Sequence, residues 1–207
     1  THLYTEFLQP LSESGRWFVA PYLQVGQKTR DVFDGDDKIA NYLAKIGQAG
    51  VDVGADLSTW GRVRVGSVWS RVDARVDTGS PVLPSIKETT AGPRATLFVD
   101  QTDHAFFPTK GYRATASAYA AMESFGSAQS YRRLEGSIQG ASSWGPHTLS
   151  YAVSGGTDVD SDMPAYESFL LGGPLRLSGY RVNQFAGNRY AFGRLMYYKQ
   201  AIHLPEI

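Results

Sequence analysis

Cysteine is absent from the 207 residues, so the chain can build neither a disulfide framework nor a thiolate metal site. No run of eighteen consecutive apolar residues occurs, which excludes a transmembrane helix and leaves membrane-crossing strands open. An excess of either charge is missing too: 20 basic residues offset 20 acidic ones, without the electrostatic footprint of a nucleic-acid-binding protein. No stretch carries a convincing helical period. Nothing resembling a signal peptide opens the chain, and Thr1 reads as the start of an excised or mature segment. What is plentiful is glycine and aromatic: 22 Gly, 12 Tyr, 10 Phe and 4 Trp. That profile fits an aromatic-girdled barrel better than a helical bundle, although a soluble all-β sandwich shares much of it.

Nine strand-like runs follow one another, separated by turn signals. They are His2–Pro10, Trp17 to about Arg30, Lys38–Leu57, Gly61–Asp77, about Lys87–Asp100, Tyr112–Met122, Tyr131–Ser142, Thr148–Gly155 and Tyr190–Ile202. The third is the clearest: Ala49, Val51, Val53, Ala55 and Leu57 alternate with Gln48, Gly50, Asp52, Gly54 and Asp56, which predicts one apolar and one wet face. In the fourth, Val63 and Val65 hold one phase while Val72, Ala74 and Val76 hold the other. Either a β-bulge shifts the register there, or the far half leaves the apolar band.

Two kinds of connection alternate. LSESG, STWG, DHAFFPTKG and SSWGPH are tight, whereas RDVFDGDD, DTGSPVLPSI, ESFGSAQ and a final Gly-rich segment are looser, longer or more charged. In an up-and-down barrel alternate connections share a rim, and outer-membrane barrels combine short periplasmic turns with longer external loops. Trp17, Trp60 and Trp144, with Phe106 and Phe107, fall at the short-turn rim, where an interfacial girdle belongs. The fold class is therefore all-β: an antiparallel up-and-down transmembrane β-barrel, its outward face carrying Val51, Val53, Leu97, Val99, Ala116, Ala118, Leu149 and Val153. Asp52, Arg94, Arg113, Arg133 and Glu135 then point into the lumen, and Arg is expected to be better tolerated at Asp52 than at Val51.

The Gly-rich segment FLLGGPLRLSGYRVNQFAGNR, Phe169–Arg189, is too long for a hairpin turn and too apolar to stand free in water. It carries Phe169, Leu170, Leu171, Leu175, Leu177, Tyr180, Val182 and Phe185. Gly172, Gly173 and Gly179 open backbone conformations closed to other residues, and Pro174 fixes one φ angle. The composition predicts a loop folded back into the protein interior, with Leu175–Tyr180 inside the barrel and Gly179 intolerant of bulk.

The pair DQTDHAFFPTKG (Asp100–Gly111) and FLLGGPLRLSGY (Phe169–Tyr180) resembles the bacterial surface antigen barrel superfamily, which includes the outer-membrane barrel assembly protein and the two-partner secretion transporters. The wording RLSGYRVNQFAGNRYAFGRLMYYKQ is most similar to barrels fused behind patatin-like phospholipase domains in type V autotransporters. The resemblance covers essentially the whole chain, residues 1–207. It implies a sixteen-stranded barrel in the Gram-negative outer membrane, of which these nine runs look like strands four to twelve. It also implies a lumenal loop at about 158–189. On that reading the chain is a partial barrel, and its motif positions are Gly172, Gly173, Arg176, Ser178, Gly179, Tyr180 and Arg181 in the loop, with Asp100, Asp103, Phe107, Pro108 and Gly111 in the turn. One departure stands out: Ser178 occupies the place of the family's loop-tip Arg, and Arg176 or Arg181 is the candidate to supply the guanidinium instead, facing the lumenal carboxylates.

Enzyme chemistry finds little to stand on. No GxSxG elbow exists, so lipase activity would belong to a domain outside this segment. His2, His104, His147 and His203 show no ligand spacing. Asp158, Asp160 and Asp162 open like a calcium loop, but Met163 sits where the sharp turn needs Gly and Phe169 where the closing Glu belongs, so a solvated acidic loop is expected. Asp100 and Asp103 are expected to make turn and strand-end hydrogen bonds, not to form a catalytic pair.

No catalytic, metal or cofactor site is expected. The expected partners are outer-membrane lipid, a covalently linked N-terminal passenger domain and further copies of the chain, with no nucleic acid. The functions that follow from these readings are a barrel of a translocation or assembly family that secretes or displays an attached patatin-like lipase, a passive membrane anchor for that domain, an outer-membrane protein assembly factor, and a soluble ligand-binding barrel.

Overall fold

Alternation at a period of two gives each run two unlike faces, and clusters of Gly, Pro, Asp and Ser end it. The computed structural model describes residues 1–34, 37–79, 85–105, 107–159 and 163–200. Its strands are β1 (His2–Glu6), β2 (Gln9–Pro10), β3 (Trp17–Asp34), β4 (Asp37–Asp56), β5 (Gly61–Gly79), β6 (Ile86–Asp100), β7 (Gly111–Ala121), β8 (Tyr131–Trp144), β9 (His147–Asp158), β10 (Phe169–Leu171), β11 (Phe185–Gly187) and β12 (Arg189–Lys199). Two single 3₁₀ turns, Glu123–Phe125 and Ala165–Glu167, make up the helix of the described residues.

Ten strands form one antiparallel sheet in the order β1-β3-β4-β5-β6-β7-β8-β9-β12, with β2 continuing the β1 edge beside β3. This is the expected up-and-down meander. Its first run is split in two, because the chain between Glu6 and Gln9 leaves the ladder apart from the bond from Phe7 N to Pro21 O. The sheet does not close on itself: β1 with β2 lines one edge and β12 the other. Residues from 201 onward, expected to extend the last strand, lie outside the described residues.

Register assigns every side chain to a face. Asp52, Gly66, Arg94, Tyr119, Arg133 and Asp158 oppose one another in one continuous row. One residue on, Val53, Val65, Ala95, Ala118, Leu134 and Thr157 form the adjacent row on the opposite face. The first row belongs to the inner face, the second to an outer face where Val51, Val53, Val65, Leu97, Leu134, Ile138 and Val153 stand exposed.

The inner face differs from the wet surface that alternation alone suggests. Asp52 is 1% exposed, accepts a hydrogen bond from Arg94 at 2.9 Å and lies 3.8 Å from Arg64. Arg64 in turn pairs with Glu6, and Arg62 pairs with Asp56 at 2.5 Å. Gly50 and Gly54 leave room for the rings of Tyr22 and Phe18 to lie flat on the sheet. Arg94 covers the Tyr22 ring at 5.1 Å, and Arg62 and Arg64 cover Phe18 at 4.8 and 5.3 Å. An Arg at position 52 would therefore face two guanidinium groups at a buried site, a cost that alternation alone does not reveal.

The two phases of β5 have a clear cause. Its register with β4 runs unbroken from Arg62 to Val76, and the only shift in that pairing lies beyond, between Asn41 and Tyr42. No bulge separates Val65 from Val72. Instead the faces exchange polarity: the outer face reads Gly61, Val63, Val65, Ser67, Trp69 and then Arg71, Asp73, Arg75. The inner face above that point reads Val72, Ala74 and Val76, packed with Ala40, Tyr42, Val32, Ala44 and Ile86. From Gly61 to Trp69 the outer stretch matches the 9–11 residues a tilted membrane strand needs. Ser70–Gly79 projects beyond it by about 33 Å along the strand.

At the opposite rim Trp17, Trp60, Phe107, Trp144 and Tyr197 are exposed, as an interfacial girdle requires. His147 stacks between Trp144 and Tyr197 with centroids 6.1 and 5.8 Å away. Phe106 lies outside the described residues.

These faces are tested by one cation on each. Val53→Arg, on the outer face between the two aromatic rims, is expected to cost roughly 2–4 kcal/mol of folding into lipid. Thr115→Arg, on the inner face, is expected to cost far less. Urea titration of the full-length protein refolded into vesicles measures both, and equal losses would refute the assignment.

Candidate functional site in the lumenal loop

Between β9 and β12 the chain forms an ordered structure of its own. Strands β10 and β11 pair as a short antiparallel ribbon, and beyond it an isolated bridge joins Gly173 to Leu177. Tight turns complete the tip: Arg176 N donates to Gly173 O, Tyr180 N to Leu177 O and Gln184 N to Arg181 O. Leu175 and Asn183 adopt positive φ angles of 65° and 59°.

The base of the loop is fixed to the inner wall. Phe169, 4% exposed, packs with Met163, Ala121 and Tyr131, flanked by Tyr119 and Tyr190. Its ring lies over Gly156, where an added Cβ would sit 2.5 Å from it, and under the Arg133 guanidinium at 4.3 Å. Arg133 also binds Glu135 at 3.1 Å and Glu167 at 3.3 Å, and the Tyr190 hydroxyl donates to Glu135 at 3.1 Å. Burial pushes the Tyr166 phenol up to about 12, reinforced by Glu88 and Glu167.

The tip is held by the wall. Arg194, halfway along β12, donates from a guanidinium nitrogen to the Leu175 carbonyl at 2.8 Å. On the ladder Arg194 stands level with Ala152, Gln139 and Arg113, well below the end of β9. Leu175 thus lies against the inner face of β12. Arg194 is 19 positions from the residue it holds, and the acceptor is main chain, so residue spacing offers no sign of this contact.

The motif residues divide sharply. Gly172 (φ 131°) and Gly173 (φ 99°) are buried and constrained, since a Cβ on Gly172 would lie 2.4 Å from the Arg181 carbonyl. Gly179 is unconstrained within this chain: nothing lies within 4 Å of its added Cβ. Arg176 donates to the Leu170 carbonyl of its own loop at 3.3 Å, and Arg181 lies 5.9 Å over the Phe33 ring. Among the described residues neither meets a carboxylate, so the expected pairing with lumenal acids is not formed. Ser178 is exposed. Leu175, Tyr180, Val182 and Phe185 are exposed as well, with Tyr180 and Phe185 stacked edge to face at 4.8 Å. The wall that would face them is not supplied by this open sheet.

The second motif is a turn built on carboxylates. Asp103 Oδ1 accepts from the backbone of His104, Thr109 and Lys110, and Oδ2 accepts from the Thr109 hydroxyl. The Thr109 hydroxyl, aided by those backbone N–H groups, holds the Asp103 carboxyl well below the usual carboxylate range. Asp100 accepts from Thr102 and binds Arg113 at 2.6 Å. Pro108 offers its carbonyl to the Tyr198 hydroxyl at 2.7 Å, and Phe107 is exposed. Gly111 (φ 94°) sits where a Cβ would lie 2.0 Å from the Gln101 carbonyl.

Asp158 is bound by Arg189 at 2.9 Å, while Asp160 and Asp162 lie outside the described residues. Among the described residues no cluster of three or more His, Cys, Asp or Glu could hold a metal ion.

An open antiparallel meander with an apolar outer face, an arginine-lined inner face and a loop held against the inner wall is the architecture of part of an outer-membrane β-barrel. The chain belongs to the Omp85 superfamily, whose domain matches residues 5–199. It is similar in fold to BamA from Haemophilus ducreyi, solved without POTRA domains 1–3, with a TM-score of 0.70 and 14% identity. That match covers 88% of this chain and 38% of the other, so this chain spans well under half of that relative's length. No curated protein matches the chain in sequence.

The two glycine classes make a direct test. Gly172→Ala is expected to release the loop, seen as new trypsin cleavage at Arg176 or Arg181 in the folded full-length barrel. Gly179→Ala is expected to leave the cleavage pattern unchanged, and cleavage in both variants or neither would refute the distinction.

Proposed function

We propose that this barrel secretes or displays an attached N-terminal domain, a patatin-like lipase, at the cell surface, with the lumenal loop as its working element. The observation that carries this reading is the double anchorage of the loop, by Phe169 under Arg133 and by Arg194 on the Leu175 carbonyl. A passive anchor needs only a closed lipid-facing wall. A twenty-residue segment ordered against the lumenal face is more than such a wall requires.

The exposed apolar tip and the two open edges support completion of the barrel by further strands, to the sixteen implied by the family resemblance. Those strands would cover Leu175, Tyr180 and Val182 and satisfy the edge backbone groups, which cannot be left bare in lipid. The lipase assignment rests on the wording of Arg176–Gln200, and any hydrolysis would be the work of that other domain.

The full-length protein in intact cells provides the test. Phe169→Ala, which removes about 3 kcal/mol or more of packing, and Arg194→Ala are expected to reduce passenger exposure to added protease. Barrel folding, read as heat-modifiable electrophoretic mobility, should persist. Undiminished exposure in both variants would establish the passive anchor instead. A cysteine placed at Ser178 should react with an external bulky maleimide much more slowly than one at Ser124, on the exposed turn between β7 and β8.

A further inference from the structure

The outer face carries one feature that a uniform lipid-facing wall does not need. A groove of about 690 Å³ opens where β1, β3, β4 and β5 run side by side, at the upper border of the apolar band. Leu3, Val25 and Trp69 form its apolar sides. Gly47 forms part of its floor, where an added Cβ would meet nothing within 4 Å. Lys45 and Arg71 stand at its head, both exposed.

Register fixes this arrangement. Val25, Gly47 and Arg71 share one row of the outer face, and Gln27, Lys45, Asp73 and Lys87 share the next row outward. Trp69 lies one step toward the membrane, two residues from Arg71 and so about 6–7 Å along the strand. Asp73 also borders the groove, but its carboxylate is engaged by Lys87 at 3.8 Å. Among the described residues neither Lys45 nor Arg71 pairs with a carboxylate, so the head of the groove keeps a net positive charge.

We infer that this groove binds an anionic membrane lipid in the leaflet nearer the long loops, its phosphate on Lys45 and Arg71 and an acyl chain over Gly47 against Trp69. The chemistry is that of an interfacial site: cations at headgroup depth, an indole at the boundary, and an apolar trough below. Gly47 matters because it leaves a chain-wide gap in an otherwise filled row of side chains. The inference rests on the outer face meeting lipid and is independent of what the barrel transports.

The experiment uses full-length protein refolded into phosphatidylcholine vesicles that contain a small fraction of brominated phosphatidylglycerol or, in parallel, brominated phosphatidylcholine. Quenching assigned to Trp69 is the difference between the protein and its Trp69→Phe variant. The anionic lipid is expected to quench at a mole fraction roughly tenfold lower than the zwitterionic one. Lys45→Gln with Arg71→Gln should abolish that preference while leaving quenching by brominated phosphatidylcholine unchanged. Gly47→Leu, which alters no charge, should also reduce quenching by the anionic lipid to the zwitterionic level, so the site is read by two independent variants. Folding of each is checked by heat-modifiable mobility. Equal quenching by the two lipids, or a preference that survives both variants, would overturn the site. Absence of quenching by either lipid would overturn it together with the outward orientation of Trp69, and passenger display would still be judged separately by the protease assay.

Discussion

Hydrocarbon offers nothing to a peptide group, so each N–H and C=O that crosses a membrane must find its partner within the protein. Everything else in this chain follows from the antiparallel ladder that meets that demand. Once β3 to β9 and β12 pair in one register, side chains have only two directions available, and a shift of one residue would turn every valine of the outer face into the lumen. The outer rows are therefore small and apolar. The inner rows are free to carry charge, provided the charges are paired.

How the inner rows pair sets the character of the lumen. Arginine dominates because a planar guanidinium can bind a carboxylate at one edge while its face covers an aromatic ring. Arg64 does both, with Glu6 and Phe18, and Arg133 does the same with Glu135 and Phe169. The rings lie flat only where the facing strand has glycine, at Gly50, Gly54 and Gly156. Glycine here makes room for a neighbour's ring, and the same pairing of glycine with ring serves the wall and the base of the loop alike.

Much of the fold was legible in the residues, because alternation over β4, β6, β7 and β8 is nearly unbroken and each turn carries its own chemistry. The lengths of β3 to β5 were harder to read. Above Trp69 the two faces exchange polarity, and a periodicity argument sees that exchange as a fault in the strand when it is the edge of the membrane. The loop was legible in composition but not in its contacts. Which of Gly172 and Gly179 is constrained depends on where the Arg181 carbonyl arrives, and Tyr190 joins the site only because β12 returns beside β9. Local patterns carry no record of such approaches.

The bond from Arg194 to Leu175 ends on a peptide carbonyl, and a peptide carbonyl is the same in every residue. An anchor of that kind reads the path of the chain and is blind to the side chains along it. The scaffold, not the tip, supplies the cation, so positioning and surface chemistry become separable properties of one loop. Ser178 can then stand where a charged residue would otherwise have to do the holding. A tip freed in this way can change its composition while β12 keeps its backbone in the same place.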